Sequence, residues 1–260
     1  MSAPRVLLVN DTSRWHVGSK AATASVVSSI EQAGGIVVRR IATNRYEPID
    51  VTGIDAVVVN GEGSFHDDRK WPRYLLDWID CAHVNGIPSA VVNTMWCRMG
   101  AGSRAKLANA DLVIFRDTIS RADAGMSDAP AYPDAALMAD FDARTSSREG
   151  RWFGLVPDTW GINDTQRRLV PRTGEWHEFI ATVAGMESYT TREHHGCLAA
   201  ILANTPLVAM SAEPLQRGWK NEGLLAWGGD EWRTNEVPDT PLNVTALREA
   251  FISQRHKALA

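Results

Sequence analysis

An α/β fold of two Rossmann-like βαβ halves facing a cleft, finished by a C-terminal helix, is the architecture this sequence predicts. Three observations carry it. Short apolar runs of strand length alternate with helix-length stretches, the pattern of βαβ units around a parallel sheet. Most runs end in polar or glycine-bearing residues, as strand ends that face a ligand do. The alternation is broken by a polar, aperiodic segment at 140–150 (DFDARTSSREG), which divides the chain into an N-terminal domain, 1–142, and a C-terminal domain, 151–260.

The elements follow in order. RVLLVN at 5–10 is a buried parallel strand closed by the polar turn Asn10-Asp-Thr-Ser13. A helix over about 18–32 stops at Gly34-Gly35. Residues 36–41 and 55–60 are the second and third strands, the latter followed by Gly61-Glu-Gly-Ser64. A helix over about 72–84, a strand at 89–93, a helix around 103–108 and a strand at 111–115 complete the first half. In the second half a strand at 152–156 precedes a helix near 175–183, a strand at 187–191, a helix at 193–202 and a strand at 206–210. The tail 244–259 reads as an amphipathic terminal helix.

Composition narrows the class. The 260 residues carry a formal charge of -4 and are 44% hydrophobic, the makeup of a globular protein and not of a disordered one. The acidic balance argues against coating nucleic acid by bulk electrostatics. No 18-residue apolar window and no signal-peptide pattern is present, so a cytoplasmic protein without a membrane span is expected. Cys81, Cys97 and Cys197 are three and widely spaced, which suggests reduced thiols and no disulfide framework. Of the 27 basic residues only Lys20, Lys70, Lys106, Lys220 and Lys257 are lysines. Codon bias explains most of that arginine excess, yet the planar guanidinium also suits phosphate and carboxylate ligands. Among the ten Trp, Trp15, Trp71 and Trp96 fall near strand ends and could line an acceptor groove.

Ligands in open α/β sheets sit beyond the carboxyl ends of the strands, and polar residues collect there. Asn10, Asp11 and His16 follow the first strand; Gly61, Glu62, Ser64 and His66 follow the third; Arg116 and Ser120 follow the fifth. Gly61-Glu-Gly63 is neither a full GxGxxG nor a P-loop, and on its own reads as a tight turn needing positive φ. Glu62 at its tip gains nothing from packing and is the stronger functional candidate. His66-Asp67-Asp68 reads as acids ahead of a helix N-terminus in preference to a cation site. Thr190-Thr-Arg-Glu-His-His195 leads into the small-residue helix Gly196-Cys-Leu-Ala-Ala200 and places Arg192 and His194 at a helix N-terminus, an anion site. The histidines have no metal-ligand spacing, so no metal is assigned. No GxSxG elbow is present.

The ordered set resembles the polysaccharide pyruvyl transferase family and its relatives of glycosyltransferase B (GT-B) architecture. The resemblance rests on VNGEGS at 59–64, FRDTIS at 115–120, YPDA at 132–135, TTREH at 190–194 and the stretch ending KNEG at 220–223. It departs from the family pattern at Glu193 and His195. It implies an anionic donor held by the second half and an acceptor by the first. Asp11, His16 and Glu62 become candidate bases; Asn10, Gly61, Ser64, His66, Arg116, Ser120, Arg192, His194, Lys220 and Glu222 become substrate-binding. The first expected function is metal-independent glycosyl transfer from a nucleotide-sugar to an acceptor hydroxyl. Pyruvyl ketal transfer from phosphoenolpyruvate to a saccharide is the alternative, and a non-catalytic binding relative is the third. Each donor is a substrate, so no cofactor is assigned. The expected acceptor is a saccharide; DNA with a hydroxylated base ranks behind it, supported by Arg14, Arg69, Arg73 and Arg98.

Overall fold

The computed structural model describes residues 2–138, 153–155, 168–169, 174–186, 188–191, 193–209 and 220–225. It divides into two compact units, Met1–Trp15 with Ser19–Ala139, and His16–Gly18 with Asp140–Ala260.

The first unit is a five-stranded parallel sheet. Its strands are β1 (Arg5–Asp11), β2 (Ile36–Ala42), β3 (Ala56–His66), β4 (Ser89–Cys97) and β5 (Leu112–Phe115), in the order β2-β1-β3-β4-β5. Helices α1 (Val17–Gln32), α2 (Lys70–Val84), α3 (Ala101–Leu107) and α4 (Thr118–Ala124) connect them. Leu7, Leu8 and Val9 of β1, Val57 and Val59 of β3 and Val91 of β4 are fully buried. Such strands are covered on both faces, which is why they read as continuous apolar runs. Leu75, Leu76, Trp78 and Ile79 of α2 pack into the same core.

The chain winds outward from β1 in one direction to β2 and in the other to β3. That reversal is a topological switch point, where sheets of this type open a binding crevice. It selects the ends of β1 and β3 over every other position in the unit.

The second unit repeats the order on a smaller sheet. β6 (Phe153–Leu155), β7 (Arg168–Leu169), β8 (Ser188–Thr191) and β9 (Leu207–Ala209) pair in parallel as β7-β6-β8-β9, with helices α5 (Trp176–Ala184), α6 (His194–Leu202) and α7 (Lys220–Leu225). All nine residues of α6 are buried, which explains its run of small and aliphatic residues.

Several expectations need amendment. β3 does not stop at Asn60 but continues to His66, and β4 runs on to Cys97. Helix α4 and strand β7 had no counterpart in the reading, both being too short for a periodic signal. The segment 140–150 and the terminal helix at 244–259 lie outside the described residues. No helix among the described residues is long and apolar enough to cross a membrane, and none of the three cysteines is in a disulfide.

Candidate functional site

At the switch point the polar residues form one buried network. Asn10 Nδ2 donates to the Asn60 carbonyl at 2.5 Å and to Ser64 Oγ at 2.9 Å, while Thr43 Oγ1 donates to Asn10 Oδ1 at 2.7 Å. Asn93 Nδ2 reaches Asn60 Oδ1 at 3.4 Å, and Asn93 Oδ1 accepts from the Ala135 amide at 3.0 Å. One asparagine from each of β1, β3 and β4 thus ties the three neighbouring strands together. Asn10 and Ser64, expected at substrate, belong to this brace.

Glu62 stands beside the brace. It pairs with Thr94 in the β3–β4 register, and a one-residue bulge follows between Glu62 and Phe65. Bulges re-aim side chains and cluster at functional sites. The left-handed conformation is taken by Glu62 itself, at φ 42, and not by its flanking glycines. Gly61 is needed for space: a Cβ there would meet Thr94 Oγ1 and lie 2.8 Å from Thr94 Cα. The tight-turn reading is therefore corrected, because the GEG segment is strand and its glycine is demanded by strand packing. Glu62 is 7% exposed; its Oε1 accepts from Ser19 Oγ at 2.5 Å, and its buried Oε2 has no hydrogen-bond partner among the described residues. Ser19, on the first turn of α1, was missed by sequence reading. Its trace was Ser19 and Thr23 one helical turn apart on a face that is buried.

A second cluster lies at the ends of β3 and β4. His66 Nδ1 is 3.0 Å from Asp67 Oδ2, Arg98 Nε donates to Asp67 Oδ1 at 2.6 Å, and Arg69 reaches Asp67 Oδ2 at 3.1 Å. Asp68 accepts from Arg73 at 2.8 Å and from Ser103 Oγ at 2.5 Å. Burial pushes the Asp67 carboxyl up, but the bonds from His66 and Arg98 outweigh it and hold it below the ordinary value. The bond to Asp67 raises Arg98 in turn. The acids do not cap α2, whose N-cap is Arg69 with no side-chain cap bond; they bind arginines, which corrects the helix-cap reading.

Arg116 and Ser120 form a third, internal group. Arg116 Nη1 sits 3.3 Å from Asp134 Oδ2 and its Nε 4.0 Å from Asp117 Oδ2, with both carboxylates buried. Ser120 donates through its amide and hydroxyl to Asp117, at 2.6 and 2.9 Å, which caps α4. Burial raises the Asp117 carboxyl, with Arg116 working against it. The arginine and aspartate of two resemblance motifs, 115–120 and 132–135, thus meet in a buried ion pair.

The remaining candidates are placed as follows. Asp11 is paired with Arg40 at 3.5 Å and accepts from the Ser13 amide at 2.9 Å. His16 is grouped with the second unit and not with the first sheet. In that unit His194 and His195 are 7% and 6% exposed, so the first turn of α6 is not a solvated one. Thr191 Oγ1 accepts from the Glu193 amide at 3.0 Å, and Glu193 is the N-cap residue of α6. Lys220 and Glu222 belong to α7, and Arg192 lies outside the described residues. Of the three tryptophans, Trp96 is fully buried and stacks on Phe65 at 5.6 Å, so it is core. Trp71 packs against Tyr46 and Tyr74, at 5.3 Å each, and Trp15 is 60% exposed. Arg69, Arg73 and Arg98 are each engaged by an acid, while Arg14 is exposed.

Two parallel sheets of like strand order, each flanked by helices and polar at its strand ends, define a two-unit α/β class of fold. A family profile for polysaccharide pyruvyl transferase matches residues 12–214, and the chain belongs to that family. Solved structures show the same fold. A functionally uncharacterised protein of Klebsiella pneumoniae aligns with TM-score 0.59 at 11% identity, over 89% of this chain and 90% of its own. MnaA of S. aureus, solved with UDP, aligns with TM-score 0.55 at 12% identity, over 95% and 86%. UDP-GlcNAc 2-epimerase of Methanocaldococcus jannaschii, solved with UDP-GlcNAc and UDP, gives 0.50 at 10% identity, over 98% and 100%. Sequence comparison with curated proteins returns no match.

Proposed function

We propose that this transferase moves a pyruvyl group from phosphoenolpyruvate to two neighbouring hydroxyls of a saccharide, forming a ketal. Family membership over 12–214 favours this donor over the nucleotide-sugar that the sequence reading put first. The observation that carries a catalytic reading is Glu62. A buried carboxylate with one oxygen held by Ser19, the other without a hydrogen-bond partner among the described residues, and the backbone in a strained conformation gains nothing for stability. Such a group is suited to taking a proton from an attacking hydroxyl. Arg192, His194 and Lys220 of the second unit are the groups proposed to receive the donor's phosphate and carboxylate. Arg116 is given no direct part in that binding, because its charge is already answered by Asp134.

The second reading is glycosyl transfer from a nucleotide-sugar, favoured by the likeness of fold to MnaA solved with UDP. A donor comparison separates the two. The protein is incubated with phosphoenolpyruvate or UDP-GlcNAc and a methyl glycoside bearing a free 4,6-diol. Phosphate release that needs both phosphoenolpyruvate and glycoside, with a new ketal methyl signal by NMR, is expected. Release of UDP without use of phosphoenolpyruvate replaces the proposal by the second reading, and inertness to both donors overturns transfer.

A further inference from the structure

We propose that His66 is a proton-transfer group oriented by Asp67, with Arg98 fixing the carboxylate; the inference rests on the transferase reading above. A carboxylate can only accept a hydrogen bond, so the 3.0 Å contact from Nδ1 to Asp67 Oδ2 requires the neutral ring to carry its proton on Nδ1. The lone pair then lies on Nε2, the arrangement by which an acid orients an imidazole as a general base.

Several features separate this pair from a surface salt bridge. His66 is the last residue of β3, just past the β3 bulge, with its side chain 20% exposed. Asp67 at φ 59 and Asp68 at φ 48 are left-handed without being glycine, and so is Arg98 at φ 51, just past the end of the adjoining β4. Three strained positions at two neighbouring strand ends are what place the ring, the carboxylate and the guanidinium together, and strain of this kind collects at functional sites. Both carboxylate oxygens are engaged, Oδ2 by His66 and Arg69 and Oδ1 by Arg98. Asp67 therefore stays an anion with a fixed orientation and can stabilise an imidazolium without taking the proton.

In ketal formation the first hydroxyl oxygen bonds to C2 of phosphoenolpyruvate as the double bond takes a proton at C3. The phosphate then leaves with the electron pair of its C2–O bond, and the second hydroxyl oxygen bonds to C2. Two hydroxyl protons are released; one is accounted for by the new methyl group and one by hydrogen phosphate. His66 Nε2 accepts a hydroxyl proton and returns it to the departing phosphate, so the ring ends as it began.

The orientation is tested without any donor. Long-range proton–nitrogen NMR of the full-length protein at pH above the imidazole range reads the tautomer of each of the seven histidines, and His66→Gln assigns the signal. Nδ1–H in the wild type, changing to Nε2–H in Asp67→Ala, is expected. Nε2–H in the wild type overturns the proposal, as does an unchanged signal in Asp67→Ala. The kinetic arm measures phosphate release with phosphoenolpyruvate and the diol glycoside. His66→Gln, checked for folding by circular dichroism, is expected to lower kcat by about 10²-fold with KM little changed. A kcat within threefold of wild type overturns the role. A wild type inert toward phosphoenolpyruvate but carrying Nδ1–H overturns the pyruvyl reading and leaves the orientation by Asp67 standing.

Discussion

The two edges of the first sheet solve the same backbone problem with different residues. At the amino edge, where the chain enters β2, β3 and β4, positive φ falls on Gly34, Gly53 and Gly86. At the carboxyl edge it falls on Asn10, Asn44, Glu62, Asp67, Asp68, Asn93 and Arg98. Glycine adopts this conformation at no steric cost, whereas other residues are strained there. One edge has been left free to choose the cheapest residue. The other keeps side chains in place at a cost in stability, and those side chains are the buried amides, the unpaired carboxylate and the charged cluster described above.

The largest expected effect comes from separating the two demands at Glu62. Glu62→Gln keeps the shape and the Ser19 contact but removes the carboxylate proposed as base, and is expected to lower turnover by about 10³-fold. Glu62→Gly removes the strain and the unpaired buried oxygen together, and is expected to be inactive yet more stable by about 1 kcal/mol. Assays of turnover and chemical denaturation on both variants check this. A Glu62→Gly protein that is less stable than wild type breaks the comparison at its centre.

Next in size is Arg116→Met. Removing the cation leaves Asp134 and Asp117 buried without it, and breaking such a pair costs about 3–5 kcal/mol. The denaturation midpoint should fall accordingly. A loss below about 1 kcal/mol would show that the group is not the structural tie its burial indicates.

A paired substitution sharpens the contrast between the edges. Gly61→Ala forces a methyl group against Thr94 and is expected to cost about 1–3 kcal/mol. Gly86→Ala meets nothing within 4 Å but sits at φ 66, so it costs only about 1 kcal/mol of backbone strain. Catalysis should suffer in the first, where Glu62 is the neighbouring residue, and stay unchanged in the second.

These cases also show how far the residues speak for themselves. The strands were legible because burial on both faces leaves apolar runs such as Val6–Val9. Glu62 drew attention because a carboxylate between two glycines has no packing role, but its burial and its left-handed backbone were not legible. The role of Gly61 was not, since it depends on Thr94, thirty-three positions away on another strand. Arg116 was read as a ligand for phosphate because its burial beside Asp134 depends on a loop that folds back under β5. The His66–Asp67 pair was read as a helix start because acids ahead of a helix usually are; only the left-handed backbone turns them toward the arginines instead.

The smallest expected effect concerns acid. Asp67 and Asp68 titrate below the ordinary value of 3.8, the first because bonds from His66 and Arg98 overcome burial, the second chiefly through Arg73 and Ser103. A depressed folded-state value contributes stability that is fully present above the ordinary carboxylate range and is lost as pH falls through the depressed values. Asp117 runs the other way: burial raises it, so protonation relieves a penalty as pH falls through its raised value. Melting temperature measured from about pH 6 to about pH 2 therefore combines both slopes. Asp67→Asn should lie below wild type at neutral pH, because Arg98 and Arg69 lose their anion. The two curves should draw together at acid pH, where the wild-type carboxylate is itself protonated. Parallel curves across the whole range would mean that the Asp67 charge contributes nothing, and the carboxyl edge would then owe its strain to the ring of His66 alone.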